Sequence, residues 1–246
     1  LISDAEKYTI EELTITGNLN GTDFRLIREM AGNDYLGKPT NGVLKKLDIS
    51  GANIVEGGEK YLDADEVYNS TGGYAHWGGE FFHFNTQDNV VGNAMFAGCE
   101  KLEEINLAEN IISIGDLALW DCKNLKSLFI PKNVSTIGRS FIDGSNKITS
   151  ISVAEENRSF SSPANSNVLM QGTKLILGCS NSIIPTTTTI IGSNAFENCY
   201  PLGDVTIPEG VTTIEVGAFA WSGLTSIKMP STLTTIGNDA FAGCNG

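Results

Sequence analysis

The sequence is short of positive charge. Its 16 Lys and Arg stand against 29 Asp and Glu, for a net charge of −13 over 246 residues. Phosphate binding needs a basic face, so this balance excludes nucleic acid as an expected partner. No polybasic cluster is present for an anionic lipid surface. No apolar run approaches the roughly 18 residues that a spanning helix requires, so no membrane insertion by this segment is expected. The opening LISDAEKYTI has no basic stretch followed by an apolar one, and no secretion signal is read there. The acid surplus is spread: residues 1–90 carry 15 acids and 7 bases (net −8) and the remainder is net −5, a distribution that serves solubility.

Chemistry-bearing residues are also scarce. There are two His and five Cys. No C-x-x-C, G-x-G-x-x-G or phosphate loop occurs, so zinc-knuckle, thiol-redox and nucleotide motifs are absent. His76, Glu80 and His83 fall in YAHWGGEFFHF, where the spacing fails the H-E-x-x-H pattern and Gly78-Gly79 opposes a helix. Asp63, Asp65 and Glu66 begin a calcium-loop pattern that Val67 and Tyr68 break. No metal site, cofactor or catalytic constellation is expected, and the chain is read as a non-enzyme.

What is abundant is repetition. From Cys99, steps of 23 reach Cys122 and Ser145, and Gly92, Gly115 and Gly138 keep the same step. A second block runs Cys199, Ser222, Cys244, with Ala195-Phe196, Ala218-Phe219 and Ala240-Phe241 at one point of each unit. Within a unit, Leu224-Thr-Ser-Ile227-Lys-Met229 alternates as a half-buried strand, and Pro230 ends it for want of an N–H. Leu233-Thr-Thr-Ile236 is a second extended segment. Asn238 to Cys244 suits a single helical turn capped by Asn or Asp. Such a unit cannot bury its apolar edge alone, whereas stacked copies close a continuous core. The inner strands are expected to form one long parallel sheet. The Cys position is expected to hold free thiols, because Ser145 and Ser222 substitute there and parallel side chains are badly aimed for a disulfide.

The pattern L-x-x-L-x-L appears at Leu102-Leu107, Leu125-Ile130, Leu202-Ile207 and Leu224-Met229. With I-P-x-x-V-T-x-I-G-x-x-A-F-x-x-C it resembles the BspA-type leucine-rich repeat of bacterial surface and secreted proteins. The resemblance covers about Val90 to Cys244. Leu117-Ala-Leu119, Phe141-Ile142, Ser145 and Ser222 depart from it. It implies an α/β repeat solenoid: a right-handed leucine-rich-repeat superhelix with a parallel β-sheet on the concave side, and short helical turns and extended segments on the convex side. Residues 91–246 are then repeats of about 23 residues. A longer unit at about 154–189 carries a hairpin, with Val168–Met170 and Leu175–Leu177 flanking a Gly-containing turn. Residues 1–90 are read as an N-terminal cap. In it Ile10-x-x-Leu13-x-Ile15 and Leu44-x-x-Leu47-x-Ile49 echo the strand pattern at a spacing of 34, and Thr22–Met30 forms a helix with Phe24, Ile27 and Met30 on one side, capped by Thr22 or Asp23. This segment resembles the N-terminal flank of Bacteroides-type members. No comparable cap follows Cys244.

Two candidate binding regions emerge. Extended sheets are the surfaces that solenoids use for binding. The outward positions of this one are Glu104 and Asn106, Ser127 and Phe129, Ser150 and Ser152, Asp204 and Thr206, Ser226 and Lys228. The second region is an aromatic loop with Tyr74, Trp77 and Phe81, in a stretch of 36 residues holding 8 of the 20 aromatic residues. The resemblance implies a non-enzymatic, adhesin-like module, on the cell surface or secreted, that binds protein or glycan. The alternative is a structural spacer that self-associates through the open C-terminal end.

Overall fold

The computed structural model describes residues 2–63 and 84–244. The chain divides into two compact units, residues 1–125 with 133–145, and residues 126–132 with 146–246. The first unit contains β1 (Glu12–Thr14), β2 (Gly17–Leu19), α1 (Gly21–Met30), β3 (Lys46–Asp48), β4 (Ala52–Ile54), β5 (Val90–Val91), β6 (Glu104–Asn106) and β7 (Ser113–Ile114). After β8 (Ser127–Ile130), which belongs to the second unit, β9 (Thr136–Ile137) returns to the first. The second unit continues with β10 (Ser150–Val153), β11 (Leu169–Gln171), β12 (Lys174–Leu177), β13 (Ile190–Ile191), β14 (Gly203–Thr206), β15 (Thr213–Ile214), β16 (Leu224–Lys228) and β17 (Thr235–Ile236).

The sequence echoes become strand partners. Leu13 pairs with Leu47 and Leu47 with Ile105, so the 34-residue echo of the N-terminal segment is one strand step of the sheet β1-β3-β6. Ser127 faces Ser150 and Phe129 faces Ser152 in β8-β10; Asp204 faces Ser226 and Thr206 faces Lys228 in β14-β16. The second extended segments form their own parallel ladders. Val91, Ile114 and Ile137 are in register in β5-β7-β9, as are Leu175, Ile191, Ile214 and Ile236 in β12-β13-β15-β17. Registered aliphatic side chains make columns: Val91, Ile114, Leu175, Ile191 and Ile214 are buried, Ile137 is half-buried and Ile236 is exposed. The expected hairpin is β11-β12, antiparallel, with Gly172 at positive φ.

Two expectations fail. The inner strands do not form one sheet among the described residues but the three sets β1-β3-β6, β8-β10 and β14-β16. Within the second unit the reason lies in chain length. Eight residues separate Cys122 from Ile130 and Cys199 from Ile207, but only five separate Cys179 from Ile184. The hairpin-bearing repeat therefore has too little chain for an inner strand between β10 and β14, and none forms there.

The second failure concerns the helical turns, which are absent. Each segment from the conserved-spacing Gly to the Cys position is a run of tight turns. Two residues per segment sit in the left-handed region, five and one before the Cys position: Ala94 and Gly98, Leu117 and Asp121, Ser140 and Gly144, Asn194 and Asn198, Gly217 and Trp221, Asp239 and Gly243. Left-handed residues interrupt a right-handed helix at once. The freed donors then alternate. Met95, Ala97 and Cys99 donate to the carbonyls of Gly92, Ala94 and Phe96, while Ala94, Phe96 and Gly98 donate to those of Asp116, Ala118 and Trp120 in the next repeat. The same alternation recurs in the second unit, where Asn194, Phe196 and Asn198 donate to Val216, Ala218 and Ala220. The turn is thus a third inter-repeat ladder beside the two strand ladders. It explains Gly138, where a Cβ would lie 2.3 Å from the Asp116 nitrogen of the preceding repeat.

The helix forms as expected but is capped differently. Asn20 is the N-cap: its side chain accepts from the Thr22 N–H at 3.0 Å, and the Asp23 carboxylate accepts from the Asn20 N–H at 2.8 Å. Phe24, Ile27 and Met30 are buried, and Phe24 meets Phe96 edge-on at 5.8 Å. The guanidinium of buried Arg28 donates to the carbonyls of Asp34, Ala94 and Met95, joining the helix to the first turn segment.

Candidate functional site

Pleating decides which strand residues meet solvent. In β8 and β10, Leu128 and Ile151 point into the core while Phe129, Ser150 and Ser152 are exposed and Ser127 is half-buried. In β6, Ile105 is buried between exposed Glu104 and half-buried Asn106. On β14-β16, Asp204, Thr206, Ser226 and Lys228 are all exposed. The expected outward residues therefore sit in three groups, two of them in the second unit. Tyr74, Trp77 and Phe81 lie outside the described residues, as do His76, Glu80, His83, Asp65 and Glu66.

Two carboxylates on strands of this kind are satisfied by neighbouring hydroxyl and N–H groups. The Asp204 carboxylate accepts from the Ser226 hydroxyl at 2.7 Å and from Thr225 at 2.8 Å, which holds its carboxyl below the usual carboxylate range. Asp48 is held low in the same way by the Ser50 hydroxyl and N–H, with Asn106 as a lesser contributor. Phe129 is the exception, a large apolar side chain left 42% exposed between Ser127 and Ile130.

A feature missed in the sequence lies beside the starts of β1, β3 and β6. A shallow cavity of about 460 Å³ is lined by Glu11, Thr40, Asn41, Lys45, Lys101 and Glu103, among others. Glu11 and Lys45 pair across it at 2.8 Å. With charges of both signs it offers hydrogen bonds and no net field. It depends on the loop between α1 and β3, which carries no motif.

The cysteines are free, and the Cys position proves to have a second role. Cys122 donates its thiol to the Phe96 carbonyl at 3.2 Å, Cys244 to Phe219 at 3.1 Å, and Ser145 its hydroxyl to Leu119 at 2.9 Å. The position wants a small buried donor, which is why Ser replaces Cys. Burial pushes the Cys99 and Cys122 thiols up, and that of Cys199 up to about 12, which disfavours the thiolate that a nucleophile or metal ligand needs. Among the described residues no group of three or more His, Cys, Asp or Glu is placed to hold a metal ion.

The comparisons with known proteins agree with this architecture. A solved structure of a leucine rich cell surface protein from Faecalibacterium prausnitzii A2-165 is 28% identical, with a TM-score of 0.55, over 63% of this chain and 42% of its own. The pneumococcal vaccine antigen PcpA is 23% identical, with a TM-score of 0.54, over 63% of this chain and 46% of its own, and supports the fold alone. This chain thus spans less than half the length of either. No match is found among curated proteins. Residues 80–178 and 175–246 match the model for the BspA type leucine rich repeat region, in six copies, and the chain belongs to that family.

Proposed function

We propose that this chain is a non-enzymatic recognition module of a bacterial surface or secreted protein, binding protein or glycan through the outward face of its inner strands. The observation that carries the reading is Phe129, held in solvent on β8 beside the small side chains of Ser150 and Ser152. An exposed aromatic in a field of small polar groups is the composition of a contact anchor. The surface location follows the similar F. prausnitzii cell surface protein. Tyr74, Trp77 and Phe81 are included as a second contact region. The same reading makes the repeats a right-handed solenoid with the inner strands on its concave side.

The test is retention of the purified chain on an array of extracellular-matrix proteins and glycans, repeated with Phe129→Ala. Loss of a hit by at least tenfold with an unchanged melting curve supports the strand face. A hit that Phe129→Ala leaves intact places the contact elsewhere.

A further inference from the structure

The turn ladder of the second unit carries two large rings in solvent. Tyr200 is 72% and Trp221 57% exposed, the most exposed aromatic side chains among the described residues. They are neighbours across one repeat step. The Asn198 N–H donates to the Ala220 carbonyl and the Leu202 N–H to that of Ser222, which brackets Tyr200 beside Trp221. Chains bonded in this way lie about 4.8 Å apart.

Each ring rests on a glycine of the following repeat. A Cβ at Gly243 would lie 2.2, 2.4 and 2.6 Å from three consecutive atoms of the Trp221 benzo ring. Near-equal distances to adjacent ring atoms put the face of the indole, not its edge, over that glycine. A Cβ at Gly223 would lie 2.3 Å from Cδ2 of Tyr200. Both glycines have positive φ. One side of each ring is therefore seated on a backbone where a Cβ would displace the ring, while most of the ring stays in solvent.

Trp221 also stands where a tryptophan is least comfortable. The residue before the Cys position is left-handed in every repeat but the hairpin-bearing one, and five of its six occupants there are Gly98, Asp121, Gly144, Asn198 and Gly243. These residue types tolerate that backbone. Trp221, at φ 56°, does not. A strained residue held by its surroundings points toward function.

We infer that Tyr200 and Trp221 form a stacking platform for a neutral carbohydrate. The apolar C–H face of a pyranose lies flat on a ring, and its hydroxyls need polar neighbours. Glu197 and Asn198, both half-buried, precede Tyr200. A protein-docking patch calls for contiguous apolar surface; here two rings and Pro201 stand among polar groups. The charge fixes the sugar class. From Asn194 to Cys244 the acids Glu197, Asp204, Glu209, Glu215 and Asp239 meet the single base Lys228, for a net −4, which repels sulfated and sialylated chains. The inference rests on the recognition-module reading but moves the glycan contact from the strand face to the turn face.

The test applies the full chain to neutral oligosaccharides, anionic glycans and matrix proteins on one array, beside Trp221→Asn and Tyr200→Ser. Trp221→Asn installs the residue type already found at Asn198, so the turn accommodates it. Retention on neutral glycans, weakened about tenfold or more by each variant with the melting temperature within a few degrees, is the expected result. Neutral-glycan retention that neither variant changes overturns the platform and leaves the module reading intact. So does retention on anionic glycans or proteins alone. Silence on every spot removes both.

Discussion

Phe196, Phe219 and Phe241 occupy the same position of three successive repeats and stack nearly parallel, at 5.1 Å and 2° and then 5.5 Å and 6°. Phe219 is the middle ring, fully buried with a neighbour on both faces; Phe241 has one ring neighbour and is half-buried. Truncating a buried Phe to Ala costs about 3–5 kcal/mol in all, toward the upper end where it also removes stacked ring pairs, each worth about 0.5–1.5 kcal/mol. Phe219→Ala loses both pairs and should cost about 4–5 kcal/mol, against roughly 2 kcal/mol for Phe241→Ala. Urea denaturation followed by circular dichroism reads both numbers. Double-mutant cycles sharpen the test. Phe196 and Phe219 should couple by about 1 kcal/mol, while Phe196 and Phe241, which share a neighbour without stacking on each other, should be additive to within about 0.5 kcal/mol. A loss below about 1 kcal/mol for Phe219→Ala, or equal coupling in the two cycles, would refute the nearest-neighbour column.

Three further outcomes are expected. Arg28→Ala should lower stability by about 3 kcal/mol in the same assay, because the Met95 carbonyl loses its guanidinium donor, those of Asp34 and Ala94 keep only the Gly37 and Ala97 N–H groups, and a large buried side chain is removed; Arg28→Lys should recover little since an ammonium cannot span all three. Cys122→Ser should fall within about 0.5 kcal/mol of the parent and Cys122→Ala about 1 kcal/mol below it, because serine keeps the donation to Phe96; reversed values would make the position one of packing alone. For Asp204 the folded pKa lies below its ordinary 3.8, so its contribution to stability is complete above that value and is lost as pH falls through the lower folded one. Thr225→Ala/Ser226→Ala should return the carboxyl toward 3.8 by NMR titration, and an unmoved value would show that the two hydroxyls do not hold it low.

The legible part of the fold was the part written in apolar side chains. Leu13, Leu47 and Ile105 could be aligned because a buried column admits few residue types, and alignment gave strand pairing without any knowledge of the chain between. The turn segments misled for a related reason. Asn-x-Ala-Phe-x-x-Cys has the composition of a capped helical turn, with small and apolar residues three apart. What decides its conformation is φ at Ala94, Leu117 or Ser140, residues with no left-handed preference of their own. Those angles are imposed by the hydrogen bonds that each turn makes to the next repeat, such as Leu117 N–H to Arg139 and Leu119 N–H to Phe141. A local sequence cannot announce a conformation whose cause is a neighbour 22 or 23 residues away.

The same non-locality governs the candidate surfaces. Alternation along a strand is a local property, so Glu104, Phe129, Ser152 and Thr206 could be placed outward from spacing alone, and they are exposed or nearly so. Tyr200 and Trp221 escaped notice because the sequence shows two isolated aromatics, 21 residues apart, at different positions of their repeats. Only the offset of one repeat brings them side by side, and only the glycine beneath each ring makes it a platform instead of a core residue. Gly223 and Gly243 read in sequence as ordinary turn residues; their meaning lies in the ring above. In a stacked array the unit of recognition is accordingly a column or a diagonal across repeats, and a surface is found by reading the sequence at the repeat period, not along it.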